Sequence, residues 1–354
     1  MFDSPTSSVN KPERSSGFLT LGIETSCDET SAAVVREGRE ILGVRTAPQD
    51  HLHETFGGVV PEVASRRHVE VVTRMVEEAL SQAEVSLAEI GLVAVTQGPG
   101  LIGSLLVGVS AAKGYALACG LPLAAVNHLE GHLLAAFIHQ PGQAPVGQPL
   151  YPTLGLIASG GHSDLVLMTE PGAYETVGQT RDDAAGEALD KAARLLGLGY
   201  PGGPALERAA REGEATAVDF PRPVAPGFDY SFSGLKTALV RHLQAKGPLV
   251  SEQMVADVAA SYQQAVVDSL VRQLERAARE LGARQIVLGG GVSANQVLRG
   301  AAEKSAARMG IVAAVPPLGL CTDNAAVIAA AGYQQFRRRG PDPLDFDVFS
   351  VLPL

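Results

Sequence analysis

The sequence contains no tryptophan and only three cysteines among its 354 residues. Cys27, Cys119 and Cys321 are odd in number and far apart, so we expect no disulfide framework and a reduced, cytosolic protein. Positive charge is also scarce. The formal net charge of −10 excludes a general electrostatic footprint for nucleic acid. Any RNA contact would therefore need a local basic patch or a partner protein.

The sequence also lacks a long uninterrupted apolar run. Residues 101–126 are the longest apolar stretch, but Lys113, Pro122 and several glycines interrupt it, which favours a buried helix followed by a strand over a membrane span. Residues 1–17 are rich in serine, proline and basic residues, and we predict a mobile tail rather than a signal peptide. A hydrophobic fraction of 46% and 39 glycines are typical of a well-packed α/β protein with many tight turns.

Two histidines four residues apart are the first chemical signal. On a helix, His128 and His132 would share one face, so that both imidazoles could reach a single metal ion. The segment resembles the H-E-x-x-H helix of zinc proteases, but Glu130 lies about 200° round the helix from His128 and cannot act as the protease base. By itself, this segment is more often a helix with two buried or solvated histidines than a metal site.

The same strand–turn–strand pattern occurs twice. Residues 18–24 and 32–35 predict strands around a polar tip, and residues 153–158 and 164–168 predict strands around a glycine and hydroxyl turn. In the first tip, Asp28 and Glu29 could hold a cation, order a water or accept a proton. The repeat predicts an internally duplicated fold of two lobes, with a ligand in the cleft between the turns.

A linker rich in glycine, proline and glutamine, residues 140–149, is the best lobe boundary. We predict a first lobe over residues 18–147, joined by the C-terminal segment 323–354, and a second lobe over residues 148–322. Two glycine-rich loops do not match nucleotide fingerprints. The loop at 97–103 has no Gly-Lys-Ser/Thr of a Walker A sequence, and the turn at 289–295 lacks dinucleotide spacing.

Acidic residues near predicted helix starts leave alternatives open. Asp182 and Asp183 are explained by a helix cap. Asp190 lies well inside the same helix, where it could accept hydrogen bonds from ribose hydroxyls or pair with Lys191 or Arg194. Asp323, just before the last helix, is either an N-cap or a third metal ligand.

Nine motifs occur in one order over residues 18–330. They are IETSCDET, QGPGLIGSLLVG, NHLEGH, ASGGHS, DDAAGEALDK, GYPGG, YSFSGLKT, LGGGVSANQ and CTDNAA. Together they resemble the bacterial tRNA N6-adenosine threonylcarbamoyltransferase family (TsaD type), formerly labelled O-sialoglycoprotein endopeptidase. The resemblance implies an α/β protein with the duplicated two-lobe actin/sugar-kinase/Hsp70-like (ASKHA) fold and an interlobe cleft.

The resemblance also implies a reaction, ligands and partners. The threonylcarbamoyl group would pass from threonylcarbamoyl-adenylate to N6 of the adenosine beside the anticodon in ANN-decoding tRNAs, releasing AMP. One divalent ion, iron with zinc as the alternative, would bind His128, His132 and Asp323. The adenylate, or AMP or ATP in its place, would bind at positions carried over from the family: Ile157, Ala158, Ser159, Gly160, Gly161, Asp190, Gly203 and Asn295. The implied partners are tRNA, a small ASKHA paralogue (TsaB type) that forms a heterodimer, and a P-loop ATPase (TsaE type), with no membrane.

The chemistry of this transfer predicts a proton acceptor near the amine, and Glu29 or Asp28 is the candidate. A metalloprotease and a small-molecule kinase of the same fold remain alternatives. The first would need a base beside His128, and the second an acceptor hydroxyl and ATP.

Overall fold

A computed structural model describes residues 17–56, 58–143, 147–247 and 251–354. The predicted tail therefore lies almost wholly outside the described residues, as does part of the predicted linker. Within the described residues, ten strands form two five-stranded sheets. The 3₁₀ segments are Glu54–Phe56, Leu87–Glu89, Ala135–Phe137, Gly291–Ala294 and Leu318–Leu320.

The first sheet and its helices come from the first half of the chain. The strands are β1 (Leu19–Glu24), β2 (Glu29–Arg36), β3 (Glu40–Pro48), β4 (Leu92–Gly98) and β5 (Leu123–Asn127). The helices are α1 (Asp50–His53), α2 (Pro61–Ala83), α3 (Ile102–Cys119) and α4 (His128–Leu134). The strand order is β3-β2-β1-β4-β5, with β1–β2 and β2–β3 antiparallel and β1–β4 and β4–β5 parallel.

The second sheet repeats this topology. Its strands are β6 (Thr153–Ala158), β7 (Ser163–Glu170), β8 (Ala173–Gly178), β9 (Gln285–Gly289) and β10 (Val312–Ala314). The helices are α5 (Ala185–Leu195), α6 (Gly202–Ala210), α7 (Ser233–Lys246), α8 (Glu252–Glu280), α9 (Gln296–Met309) and α10 (Ala325–Arg339). The order β8-β7-β6-β9-β10 has the same parallel and antiparallel pairs as the first sheet, which confirms the predicted duplication.

Alternate residues of each strand enter different cores, because successive side chains point to opposite faces of a sheet. Leu21 and Ile23 pack in the core that includes α2 and α3, whereas Ala33 and Val35 pack with α4 and α10. This central core also receives Ile157 and other side chains from the second sheet. Helices α4 and α10 therefore lie between the two sheets, and the outer face of the second sheet is covered by the helices from α5 to α9.

Close packing of α10 on the first sheet requires glycine at position 22. A Cβ there would collide with the carbonyl oxygen of Ala325 at the start of α10. The approach fixes the loop before α10 against the carboxyl end of β1. The C-terminal helix thus packs with the first sheet although it follows the second in sequence.

By length and composition alone, α3 could cross a membrane, a test that core helices of soluble proteins also pass. One side of α3 packs in the core beneath the first sheet through Leu105, Val109 and Ala112. Strand β5 follows it, as the sequence predicts for this apolar stretch.

Candidate metal centre and the surrounding cleft

The two histidines of α4 meet Asp323 between the sheets. The Nε2 atoms of His128 and His132 lie 3.4 Å and 3.3 Å from Oδ1 of Asp323. The imidazole centroids are 4.6 Å apart, as expected for neighbours on one helical face. Helix α4 starts directly after β5 because Asn127 caps it, its Oδ1 accepting the Leu129 amide at 2.9 Å.

These three residues fit a metal ion. One ligand atom from each lies within 4.8 Å of the others. Both ring nitrogens of His132 are buried without a hydrogen-bond partner among the described residues, which is costly unless another group binds there. Donors bound about 2.0–2.1 Å from a tetrahedral ion are about 3.3 Å apart, close to the spacing between each histidine and Asp323.

Asp323 does not cap the last helix. Asn324 does so, since its Oδ1 accepts the amides of Ala326 and Val327 at 3.1 and 3.2 Å. The N-cap alternative for Asp323 is therefore wrong, and its carboxylate is left facing the two histidines. Burial alone would raise the pKa of Asp323, but the charge of His128 and the close approach of both imidazoles hold it well below its ordinary value.

The carboxylate of Glu24 contacts His128 on the side of the ring opposite Asp323. Its Oε2 lies 3.0 Å from Nδ1 of His128 and accepts the Thr96 hydroxyl at 2.6 Å, while the Ser26 amide donates to Oε1. A carboxylate on Nδ1 selects the tautomer that leaves the Nε2 lone pair free for a metal. Sequence analysis missed this residue; the available signal was a lone carboxylate at the end of a buried apolar strand.

The acidic tip between β1 and β2 faces the same centre. Burial raises the pKa of Glu29 well above its ordinary value, and the charges of Asp323 and Asp28 raise it further, which places all three carboxyls near one another. Asp50, at the start of α1, contributes to the same concentration of negative charge. Such a cluster of carboxyl groups favours the binding of a cation and disfavours the binding of an anion beside it.

Buried His68 braces this tip. Its Nε2 donates to the carbonyl of Cys27 at 2.9 Å and its Nδ1 accepts the Thr30 hydroxyl at 2.7 Å. The imidazole therefore ties α2 to both ends of the segment that carries Asp28 and Glu29. No sequence motif singled out His68, because its role depends on α2 packing against the tip.

The glycine turn after β6 lies at the carboxyl end of the second sheet. Ser159, Gly160 and Gly161 are accessible, whereas Ile157 and Ala158 are fully buried, backbone included, so these two support the turn from inside the sheet. The turn contacts the start of α5, where the Gly186 amide donates to the Ser159 carbonyl at 3.1 Å. Burial lowers the pKa of His162 to about 4, and the charges of His128 and His132 contribute, so this turn faces the metal centre.

Asp190 and Gly203 are in direct contact. Oδ1 of Asp190 accepts the Gly203 amide at 2.9 Å, at the start of α6. Lys191 pairs instead with Asp183 and Glu187, at 2.7 and 2.9 Å, so the predicted alternative of an Asp190–Lys191 pair is wrong. Because a carboxylate offers about four acceptor positions, Asp190 keeps capacity for ribose hydroxyls.

The Asn295 side chain caps α9. Its Oδ1 accepts the amides of Val297 and Leu298, both at 3.1 Å, and its Nδ2 donates to Gln263 at 2.8 Å. The geometry gives this side chain a structural role beside the glycine turn at 289–291, and its nucleotide contact remains a prediction.

Asp182 does not cap the helix that follows it. It accepts hydrogen bonds from the Phe232 amide at 2.7 Å and from the Ser231 and Ser233 hydroxyls at 2.6 and 2.8 Å, at the start of α7. The cap of α5 is Ala184, which has no capping side chain. Asp182 therefore caps the distant helix α7, and the prediction that it caps the adjacent helix α5 is wrong.

Comparison with known proteins identifies the family. The sequence model described as "TsaD: tRNA N6-adenosine threonylcarbamoyltransferase" matches residues 40–330. The chain belongs to the TsaD family. It is 51% identical to the tRNA N6-adenosine threonylcarbamoyltransferase of Dehalococcoides mccartyi strain BAV1, covering 94% of this chain and 98% of that one. The protein of the same name from Symbiobacterium thermophilum is 50% identical, over 95% and 97% of the two chains.

Solved structures of more distant proteins support the ASKHA fold of this TsaD family member. HypF from T. kodakarensis aligns with a TM-score of 0.60 at 16% identity, over 91% of this chain and 48% of that one. Component A of the Acidaminococcus fermentans (R)-2-hydroxyglutaryl-CoA dehydratase aligns with a TM-score of 0.51 at 16% identity, over 90% and 98%. At this identity, the likeness concerns the fold alone.

The acid of the protease-like segment, Glu130, does not face the metal centre. Glu130 lines a separate cavity with residues of α10 and with Tyr174, away from the histidine face of α4. This placement agrees with the angle predicted from the sequence.

Proposed function

We propose that this chain transfers the threonylcarbamoyl group from threonylcarbamoyl-adenylate to N6 of the adenosine next to the anticodon in ANN-decoding tRNAs. The observation that carries the proposal is the juxtaposition of two chemically different groups in the interlobe cleft. One is the His128, His132 and Asp323 cluster, and the other is the acidic tip with Asp28 and Glu29. The family and its named relatives supply the reaction class.

His128, His132 and Asp323 would hold one divalent ion, iron in our proposal and zinc as the alternative. Two imidazoles and one carboxylate with further positions open are the ligand set of non-haem iron sites and also of catalytic zinc sites. When bound, the ion would act as a template and Lewis acid for the ligand beside it. Glu24 would fix the orientation of His128.

The nucleotide part of the donor would lie against the second lobe. Gly160 and Gly161 are exposed and can offer backbone amides to the phosphate, and Ser159, whose own amide donates to the His162 carbonyl, can offer its hydroxyl proton. Asp190 offers carboxylate oxygens for the ribose hydroxyls. Gly203 has open space where a side chain would project, which permits close approach of a ligand. Ile157, Ala158 and Asn295 would support these contacts through the backbone and the α9 cap.

The reaction depends on placing the N6 amine against the activated carbonyl carbon, and it requires no covalent intermediate with the protein. The N6 amine attacks the activated carbonyl carbon, the bond to the AMP phosphate oxygen breaks, and AMP leaves with that electron pair. The amine loses one proton, and we assign Glu29 as its acceptor, with Asp28 hydrogen bonded beside it.

Partner proteins would supply the positive charge for tRNA binding that this acidic chain lacks. The net charge of −10 disfavours unaided tRNA binding, so we propose a cytoplasmic complex with a small ASKHA paralogue of the TsaB type and a P-loop ATPase of the TsaE type. Exposed Val69 on α2, and Ile102 and Leu106 on α3, offer an apolar surface on two adjacent helices for the paralogue.

The test is transfer of labelled threonine and bicarbonate-derived carbon to tRNA, with and without partner extract. We expect label in tRNA only when ANN-decoding tRNA is present, and loss of label on removal of the metal. Metal-dependent peptide cleavage by the purified chain alone would instead support the protease alternative. Steady phosphorylation of a small molecule without tRNA would support the kinase alternative.

A further inference from the structure

A second cavity lies on the other side of α4 from the histidines. Its volume is about 610 Å³, within the range of about 300–1,000 Å³ usual for small-molecule sites. Both sequence halves line it: Glu130 and Leu134 come from α4, and Tyr151 and Tyr174 come from the second sheet and the segment before it. The cavity is therefore distinct from the cleft that holds the metal ligands.

Three polar groups of this cavity have no partner among the described residues. The Glu130 carboxylate makes no hydrogen bond or ion pair there, and neither Tyr151 nor Tyr174 uses its hydroxyl. Burial raises the pKa of Tyr174, and the neighbouring Glu130 and Tyr151 raise it further, so the three groups are close together. All three residues are half-buried, and polar groups that converge on one cavity without protein partners can accept hydrogen bonds from a ligand.

Most other charged groups of the wall have partners of their own. Arg39 donates to the Gly147 carbonyl at 3.0 Å and Arg337 lies over the Tyr333 ring, whereas Glu170 is exposed and adds a second carboxylate. Glu37 accepts hydrogen bonds from the Tyr333 hydroxyl and from the Phe18 amide. Arg338 donates to the Gly172 carbonyl, and it acts on Glu130 only at longer range. The half-buried groups left to a ligand are therefore the Glu130 carboxylate and the hydroxyls of Tyr151 and Tyr174.

We propose that this cavity is a second ligand site, which binds a small molecule with a primary ammonium group on an apolar body. An ammonium group has three donors, and Glu130, Tyr151 and Tyr174 offer three acceptors around one space. The tyrosine rings can also stabilise a cation through their faces. Leu134, Phe137 and Ile138 line the cavity and match an apolar body, whereas an anion would face the Glu130 carboxylate.

The first experiment uses the purified full chain and 2-phenylethylamine, with calorimetry at pH 8, because burial raises the pKa of Glu130 to about 7 and the carboxyl must be ionised. We expect saturable binding of one amine per chain, about ten-fold or more weaker binding of the neutral isostere 2-phenylethanol, and no binding of 3-phenylpropionate. Equal affinity for the amine and the alcohol would overturn the proposal. The titration is repeated with saturating AMP, and displacement of the amine by AMP would also overturn it, because the amine would then occupy the cleft.

Variants locate the site. Glu130→Gln should weaken amine binding about ten-fold or more, because it removes the charge and keeps the shape, whereas Glu303→Gln, an exposed carboxylate on α9, should leave it unchanged. Tyr174→Phe removes one hydroxyl without removing the ring, and should weaken binding several-fold; it decides the matter if Glu130→Gln fails to fold. Parental affinity in a folded Glu130→Gln or Tyr174→Phe protein would rule out this cavity.

Discussion

Oε2 of Glu24 lies 3.0 Å from Nδ1 of His128, so a strand of the first sheet sets the orientation of a predicted metal ligand on α4. Glu24 is fully buried, yet its pKa is lowered: burial opposes its ionisation, and the charge of His128 and hydrogen bonds from His128 and Thr96 outweigh that effect. The pair thus resembles the carboxylate–histidine arrangement found behind many metal ions.

Glu24→Gln should weaken metal binding about 10- to 100-fold, because glutamine keeps the shape of the side chain but loses its charge. The measurement is competition against a graded series of chelators, followed by elemental analysis. Thr96→Val, which removes one hydrogen bond to Glu24 and keeps the carboxylate, is the matched control and should have a smaller effect. Parental metal affinity in Glu24→Gln would remove Glu24 from the centre.

Asp323→Ala should abolish bound metal and tRNA modification together, because the two imidazoles alone form a weak and poorly selective site. His128→Ala and His132→Ala should do the same, and double variants should be no worse, since the three residues act as one unit. Thr322→Ala, at an exposed neighbour, should retain both properties. Full metal occupancy in Asp323→Ala would contradict this ligand set, and full activity of metal-free protein would contradict the mechanism.

Glu29→Gln should lower the transfer rate about 10²-fold if Glu29 accepts the amine proton, with metal and nucleotide binding nearly unchanged. A base works only when deprotonated, so the parental rate should fall as pH drops through the pKa of Glu29. Because burial and the nearby carboxylates raise that pKa, the fall should occur above the range of an ordinary carboxyl. The pH–rate profile of Glu29→Gln should lack this acidic limb, and a rate within a few-fold of the parent would leave Glu29 a structural role.

Asp190→Asn should weaken AMP binding about ten-fold and leave metal content intact. Asparagine keeps an oxygen that can accept the Gly203 amide, so the start of α6 stays capped, whereas Asp190→Ala would also lose about 1 kcal/mol of cap stability. Calorimetry with AMP measures the affinity, and thermal unfolding checks the fold. Unchanged AMP affinity in the folded variant would count against Asp190 as a ribose ligand.

His68→Gln should slow transfer without loss of metal, because the imidazole braces the tip that carries Asp28 and Glu29. Burial lowers the pKa of His68 below 6.5, so the unfolded chain binds this proton more readily than the folded one. Its contribution to stability is therefore present above about pH 6.5 and is lost as pH falls through the folded pKa. Denaturant unfolding from pH 5 to pH 8 measures the free energy of unfolding. As the pH falls, this free energy should decrease less in His68→Gln than in the parent. The same pH dependence in both proteins would contradict this assignment.

The sequence by itself determined the repeated hairpins, because two apolar strands around a polar turn are a local pattern that appears once in each half. Beyond that, the order of nine motifs was enough to predict the family and the ASKHA fold, both confirmed by the comparisons and the topology. The angle between Glu130 and the histidines followed from helix geometry alone. These features depend on neighbours close in sequence, and so they could be predicted without coordinates.

The tertiary structure decided which distant groups meet. Asp323 could have been a cap or a ligand, and only the caps made by Asn324 and the position of α10 between the sheets left its carboxylate facing α4. Asp182 was expected to cap its own helix but caps α7, about 50 residues later. Glu24 lies within the motif IETSCDET, but its role could not be predicted, because it depends on the end of β1 meeting the start of α4. Contacts between residues far apart in sequence arise from the packing of whole elements, and no local pattern specifies them.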